Sequence, residues 1–160
     1  MPPSFILAHD LGTTGDKATL WDSDGAVRAG AFHPYQTAIA RVNWAEQCPD
    51  DWWRAVCATT RELLATAHVW PHDVACVSFS GQMMGCVAVD RQARPLYNAI
   101  IWADNRAVEE AEQFAAMGAA AVYRTTGHRV GPSYSGAKML WLRRHRPDVF
   151  AATHRFLQAK

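Results

Sequence analysis

A chain of 160 residues, 49% hydrophobic and 19% charged, can bury a core and forms one domain or a large part of one. Its formal net charge of +1 gives neither nucleic acid nor an anionic membrane an electrostatic hold, because both favour a concentrated basic face. No apolar run reaches the roughly 20 residues of a bilayer span, and Met1-Pro2-Pro3-Ser4 is no charged leader region, so a cytoplasmic protein is expected.

In chain order, Phe5–His9, Lys17–Asp22 and Val27–Tyr35 read as three strands of an antiparallel meander, with a turn at Ser23-Asp24-Gly25. Pro49 opens a helix whose positive end is favoured by Asp50 and Asp51. Trp53, Val56, Thr60, Leu63, Leu64 and Ala67 recur at helical spacing and are expected to cover the sheet. Val74–Phe79 and Cys86–Val89 read as strands around a Gly81–Gly85 turn, and Ala99-Ile100-Ile101 as a short extended piece. Asn105–Met117, Ala119–Thr125 and Ser135–Arg146 read as helices. Strands, one helix, more strands and then helices give an α/β domain with a mixed sheet.

The cysteines Cys48, Cys57, Cys76 and Cys86 lack paired C-x-x-C spacing, so they read as reduced thiols, mostly buried. His68 and His72 stand four apart, but Pro71 between them spoils the shared helical face a metal would need. The cluster Arg143-Arg144-His145-Arg146 lies where a helix ends before Pro147, a position where the helix dipole favours cations.

Asp10-Leu11-Gly12-Thr13-Thr14-Gly15-Asp16-Lys17 is the most informative stretch, a polar glycine turn between two strands. Its backbone amides and hydroxyls can line an anion-binding concavity, and a carboxylate beside bound phosphate suits Mg²⁺. The plain alternative is a hairpin whose Gly, Thr and Asp serve only the turn. Neither G-x-x-x-x-G-K-[ST] nor G-x-G-x-x-G is present, so nucleotide binding would need another solution.

Five ordered stretches together resemble the FGGY carbohydrate kinases, most closely the xylulokinase-like members. Ile6–Asp22 resembles the family's opening phosphate-binding hairpin; Trp44-Ala45-Glu46-Gln47 with Asp51-Trp52-Trp53 resembles its Trp-x-Glu-Gln segment and helix. Ser80-Gly81-Gln82-Met83-Met84-Gly85 resembles the sugar-contacting turn. Pro95–Arg106 resembles the Trp-x-Asp-x-Arg region, and Ser135–Leu142 the helix after it. The resemblance implies an actin, Hsp70 and hexokinase-like (ribonuclease H-like) fold, a mixed sheet flanked by helices. Residues 1–160 would then be the leading, incomplete part of the first domain, with the second domain and the catalytic aspartate outside.

The chemistry so implied is transfer of the ATP γ-phosphoryl group to a sugar hydroxyl. Asp10 is expected to hold or orient Mg²⁺; Gly12, Thr13, Thr14, Gly15 and Lys17 line the phosphates, Lys17 being either a phosphate contact or simply solvated. Gln82, Met83, Met84, Trp102, Asp104 and Arg106 are the sugar-side candidates. For several of these the residues allow a structural role instead: Trp102, Met83 and Met84 as core, Asp104 as a helix cap, Arg106 as a surface pair.

Glycerol kinases carry Arg-Glu after the glutamine that aligns with Gln82, and xylulokinases Met-His. Met83-Met84 therefore disfavours glycerol and leaves a pentulose first, ahead of another ketose or a polyol. The other readings are a non-catalytic sugar- or phosphate-binding fragment and an actin- or Hsp70-like ATPase piece. The parent would bind ATP and a sugar, with no nucleic acid or membrane partner, and a homo-oligomer of it stays open. An incomplete domain is also expected to leave apolar residues uncovered near Trp141 or Phe156.

Overall fold

The computed structural model describes residues 4–160; Met1-Pro2-Pro3, read above as part of an uncharged start, lie outside them. Two compact units are present, one made of the chain up to Gln36 with Asp50–Gln82 and Lys160, the other of Thr37–Pro49 and Met83–Ala159.

The first unit is a four-stranded sheet, in the order β3-β2-β1-β5, with one long helix. The strands are β1 (Phe5–Leu11), β2 (Gly15–Trp21), β3 (Val27–Pro34) and β5 (Val74–Gly81), and the helix is α1 (Pro49–Ala67). The meander forms as expected, β1 antiparallel to β2 and β2 to β3. β5 runs parallel to β1, which a crossover through α1 permits. It extends two residues past the expected end, since Asp10↔Ser80 and Leu11↔Gly81 continue the ladder.

Alternation sorts the sheet into two faces. Phe5, Leu7, Ala18, Leu20, Ala29 and Ala31 pack with Leu63 into one apolar cluster. Burying a side chain such as Leu7, Leu20 or Leu63 stabilises by roughly 1.5–3 kcal/mol. The covering stripe of α1 includes the expected Val56 and Leu63, with Ala67 packed at its end, but takes in Trp52, Ala55 and Thr59, which are buried, in place of Trp53, which is 66% exposed. Ala55 is small enough for close approach, and the Thr59 hydroxyl finds a carboxylate on the sheet, so these residues win over the bulkier set.

The second unit holds two short two-stranded sheets, β4 (Glu46–Gln47) with β7 (Ala99–Ile100) and β6 (Val87–Val89) with β8 (Arg155–Leu157). Its helices are α2 (Val108–Ala116), α3 (Ala119–Thr126), α4 (Ser135–His145) and α5 (Pro147–Ala152). Cys86, Ala88, Ile100, Ala107, Ala111, Ala137, Trp141, Leu142 and Val149 form the core here. α2 begins at Val108 and not at Asn105, because the Asp104 carboxylate accepts the Arg106 backbone N–H and holds that segment out of the helix. Arg144 pairs with Glu109 and Arg146 with Asp148, so the basic cluster serves the helix end.

One expectation needs correction. Of the cysteines only Cys86 is buried; Cys48 and Cys57 are half-buried and Cys76 is exposed, since Cys76 faces outward on β5. Trp141 is buried, stacked against His145 and edge-on to Trp44. The uncovered apolar residue expected near Trp141 or Phe156 is Leu157, next to Phe156, and further exposed apolar side chains stand on β5, at Val77 and Phe79. No described helix is long and apolar enough to cross a membrane.

Candidate active-site elements

In the first unit the Asp10–Lys17 stretch is the tip of the β1–β2 hairpin, closed by Asp10↔Lys17 and Leu11↔Asp16 pairing. The Gly12 N–H donates to the Asp10 and Gly15 carbonyls at 3.0 and 3.1 Å. That amide is therefore turned into the hairpin, which leaves Thr13 and Thr14 as the turn residues for an anion. Gly15 is required by close approach, because an added Cβ would lie 2.6 Å from the His33 carbonyl oxygen and 2.5 Å from the Phe32 ring. The Tyr35 hydroxyl donates to the Gly12 carbonyl; burial, with the charges of Asp16 and Asp10, raises its pKa.

Cross-strand partners share a face, so the registers put Phe32, Lys17, Asp10 and Ser80 in one row across β3, β2, β1 and β5. All four are exposed. A carboxylate flanked by an ammonium and a hydroxyl at the tip of β1 is a fitting place for a hard cation and phosphate oxygens. No cluster of three or more His, Cys, Asp or Glu able to hold a metal occurs among the described residues, so a cation at Asp10 would keep mostly water and phosphate ligands, as Mg²⁺ prefers. Gln82 lies beside this tip: its backbone N–H donates to the Leu11 carbonyl at 2.9 Å and its Nε2 to the Gly12 carbonyl at 3.5 Å.

Behind the hairpin lies a buried polar chain that the sequence reading missed. His9 Nδ1 and Asp16 Oδ2 are 2.8 Å apart, with both side chains fully buried. The Thr59 hydroxyl donates to the same carboxylate oxygen at 2.6 Å, Thr60 Oγ1 lies 3.3 Å from His9 Nε2, and the imidazole stacks on Phe79 at 5.1 Å. The available signal was the alternation itself, which puts His9 and Asp16 on the same side of the strands as Leu7 and Ala18.

In the second unit Met83 is 65% and Trp102 44% exposed, so neither fills the core, whereas Met84 is half-buried with a left-handed φ of 59°. Asp104 and Arg106 are interior groups. Asp104 Oδ2 accepts the Ala45 N–H at 2.6 Å, and Arg106 donates to both Asp104 oxygens and to Glu46 Oε1. The guanidinium carbon sits 3.7 Å from the Trp44 ring centre and 4.8 Å from that of Trp141. Burial opposes its charge, but hydrogen bonds to Asp104 and Glu46 outweigh this and raise its pKa. Glu46 also accepts from Tyr97 and Asn98. Neither structural alternative holds here: α2 is not capped by Asp104, and Arg106 is not a surface pair.

The family model for the N-terminal domain of the FGGY family of carbohydrate kinases matches residues 5–160. The chain belongs to the FGGY family. Xylulose kinase of Bacillus subtilis (strain 168) is 31% identical over 156 residues, covering 98% of this chain and 31% of that protein. Glycerol kinase of Trichlorobacter lovleyi is 33% identical over 148 residues, covering 91% and 30%. The crystal structure of ligand-bound xylulose kinase from Lactobacillus acidophilus superposes with a TM-score of 0.89 at 28% identity, covering 98% of this chain and 31% of that one. The chain thus spans about a third of the length of the relatives it matches. Its mixed sheet with flanking helices is part of the actin-like fold of these kinases.

Proposed function

We propose that the natural reading frame carrying this chain encodes an ATP-dependent kinase that phosphorylates a hydroxyl of a ketose or polyol, a xylulose-like pentulose first. Residues 1–160 are then the leading part of its first domain, and the second domain and catalytic base come from outside them. The observation that carries this reading is the exposed Lys17–Asp10–Ser80 row at the β1–β2 tip within an FGGY fold.

Phosphoryl transfer to an alcohol is mostly positioning and charge stabilisation. Thr13, Thr14 and Lys17 would bind phosphate oxygens, Gly12 and Gly15 would keep the turn tight, and Asp10 would hold Mg²⁺ through water. Mg²⁺, when bound, would neutralise charge on the transferring phosphate. Gln82, Met83 and Met84, with Trp102, would contact the sugar, and Asp104 and Arg106 would set the loop that carries Trp102. Xylulose and glycerol kinases are matched at similar identity, so the choice of a pentulose rests on Met83-Met84.

The test is a screen of sugars and polyols with Mg-ATP on the natural full-length product, following ADP release. A pentulose should be preferred, Asp10→Ala should lower turnover on the order of 100-fold or more through lost phosphate placement, and residues 1–160 alone should show no sugar-dependent turnover. Preference for glycerol would refute the argument from Met83-Met84 and spare the kinase. ATP hydrolysis indifferent to every carbohydrate would refute the kinase.

A further inference from the structure

Among the described residues Lys138 is the largest fully buried side chain, on the inward stripe of α4 with Ala137, Trp141 and Leu142. A packing position there would take Leu or Met; an ammonium is costly to bury unless its donors are met. They are met in full. Nζ donates to the carbonyls of Met84 at 2.8 Å, Ile101 at 2.7 Å and Ser133 at 2.5 Å, one for each N–H of the head group. These carbonyls come from three separate segments. The first is the turn of Met83 and Met84, where Met84 holds a left-handed conformation uncommon for a side chain with a Cβ. The second precedes Trp102, and the Ile101 carbonyl also accepts the Asp104 N–H at 3.0 Å. The third leads into α4 itself.

We infer that Lys138 is a positioning residue for the substrate-contacting loops, its ammonium tying the Met84 carbonyl to the Ile101 carbonyl and so fixing Met83-Met84 against Trp102. The inference rests on the sugar-kinase reading for its functional consequence. Gly85, one residue on, is held separately by Ser135 and Gln158, so loss of the tie loosens Met84 and Trp102 while the turn's far side stays pinned. Burial pulls the Lys138 pKa down to about 8, partly opposed by Asp104 and Cys86 and reinforced by Arg106; these are the charged and titratable groups around it.

The experiment uses the full-length protein with Lys138→Met, which keeps the stem and removes the donors. The KM for the sugar should rise about tenfold or more, as for a lost hydrogen bond from a charged group, with the KM for ATP changing less than about twofold and kcat falling less than the sugar KM rises. Amide exchange should quicken in Met83–Gly85 and Trp102–Ala103 and stay as it was in β1 and β2. An unchanged sugar KM, or sugar and ATP KM rising together, overturns the inference. Should the variant fail to fold, the unaltered enzyme carries the test: raising pH from about 7 to about 9.5 leaves a neutral amine with two donors for three carbonyls. The sugar KM should then rise without the ATP KM, and a flat sugar KM overturns the inference. A wild type with no sugar-dependent turnover refutes the kinase reading and not the tie, which amide exchange then decides, faster exchange in the two loops supporting it and unchanged exchange overturning it.

Discussion

Replacing Asp16 by valine removes the carboxylate that accepts from His9 Nδ1 and the Thr59 hydroxyl. The two donors differ in what they lose. Thr59 Oγ1 is also 3.1 Å from the Ala55 and Val56 carbonyls, so its hydroxyl can turn back onto α1 at little cost. His9 has no such alternative at Nδ1 among the described residues, and its side chain is fully buried. Breaking a buried pair from one side costs about 3–5 kcal/mol; because Thr59 keeps a partner, the lower end, about 3 kcal/mol, is expected for Asp16→Val. The double replacement His9→Leu with Asp16→Val puts apolar side chains at both positions of the pair, next to Leu7, Ala18 and Phe79, with the Thr59 hydroxyl still able to donate to α1 carbonyls, and such swaps are often neutral. It should therefore recover most of the loss. Urea unfolding at neutral pH of wild type, both single variants and the double variant gives the cycle. A cost below about 1 kcal/mol for Asp16→Val, or a double variant as unstable as the sum of the singles, would show that the pair is not what holds the hairpin to α1.

Gly15→Ala should destabilise by about 2 kcal/mol or more in the same unfolding assay, because its Cβ would meet the His33 carbonyl oxygen at 2.6 Å and backbone cannot step aside as a flexible side chain can. Arg106→Lys should cost about 2–4 kcal/mol, since a lysine cannot bridge Glu46 and Asp104 or stack between Trp44 and Trp141; unfolding midpoints unchanged from wild type would refute this. Burial pushes the Cys86 thiol from 9.0 up to about 12, so the folded state keeps this proton longer than the unfolded chain does. Relative to Cys86→Ala, the wild type should therefore lose stability as pH rises from 9 towards 12, and a stability difference that stays flat over that range would contradict the burial argument.

The elements that were legible in the sequence are those set by local chemistry. The β1–β2–β3 meander follows from alternation and from glycine and aspartate at the turns; at the second turn Gly25 takes a φ of 82° and the Asp22 carboxylate accepts the Asp24 and Ala26 N–H groups. The existence of α1 to α4 was legible for the same reason, but the six-residue α5 and the Trp52 side of the α1 stripe were not. Trp53 and Trp52 are equal candidates by hydropathy, and what chooses between them is the Thr59 hydroxyl meeting Asp16, a partner 43 residues away. The start of α2 was misread because Asn105 and Arg106 are compatible with a helix in isolation; Asp104 captures the Arg106 N–H and side chain, a tertiary effect. β4 and β8 are two and three residues long, too short for a period to register. Lys138 went unnoticed in its own right because a lone lysine on an amphipathic helix ordinarily snorkels to water.

Three stretches that read as separate in the sequence are physically one object within the second unit. Trp44 and Glu46 come from the first of them, Asp104 and Arg106 from the second, and Trp141 and Lys138 from the third. Arg106 joins them, donating to Glu46 and Asp104 while lying against both indoles, and Lys138 reaches the Ile101 carbonyl that also receives the Asp104 N–H. Two carboxylates and two cations are thus held together in a largely water-free interior, where each charge is tolerable only because the others are present. Removing any one of them leaves an uncompensated charge and not merely a missing contact. Trp102 lies between Ile101 and Asp104 in the chain, so both of its flanks are anchored to this group while its own ring remains partly exposed. A residue meant to present a flat surface to a ligand needs that combination, an immobile backbone under an uncovered side chain. The buried cluster supplies the first half of it, so under the proposed kinase function Asp104 and Arg106 would act through the backbone beneath Trp102 and not by touching the substrate.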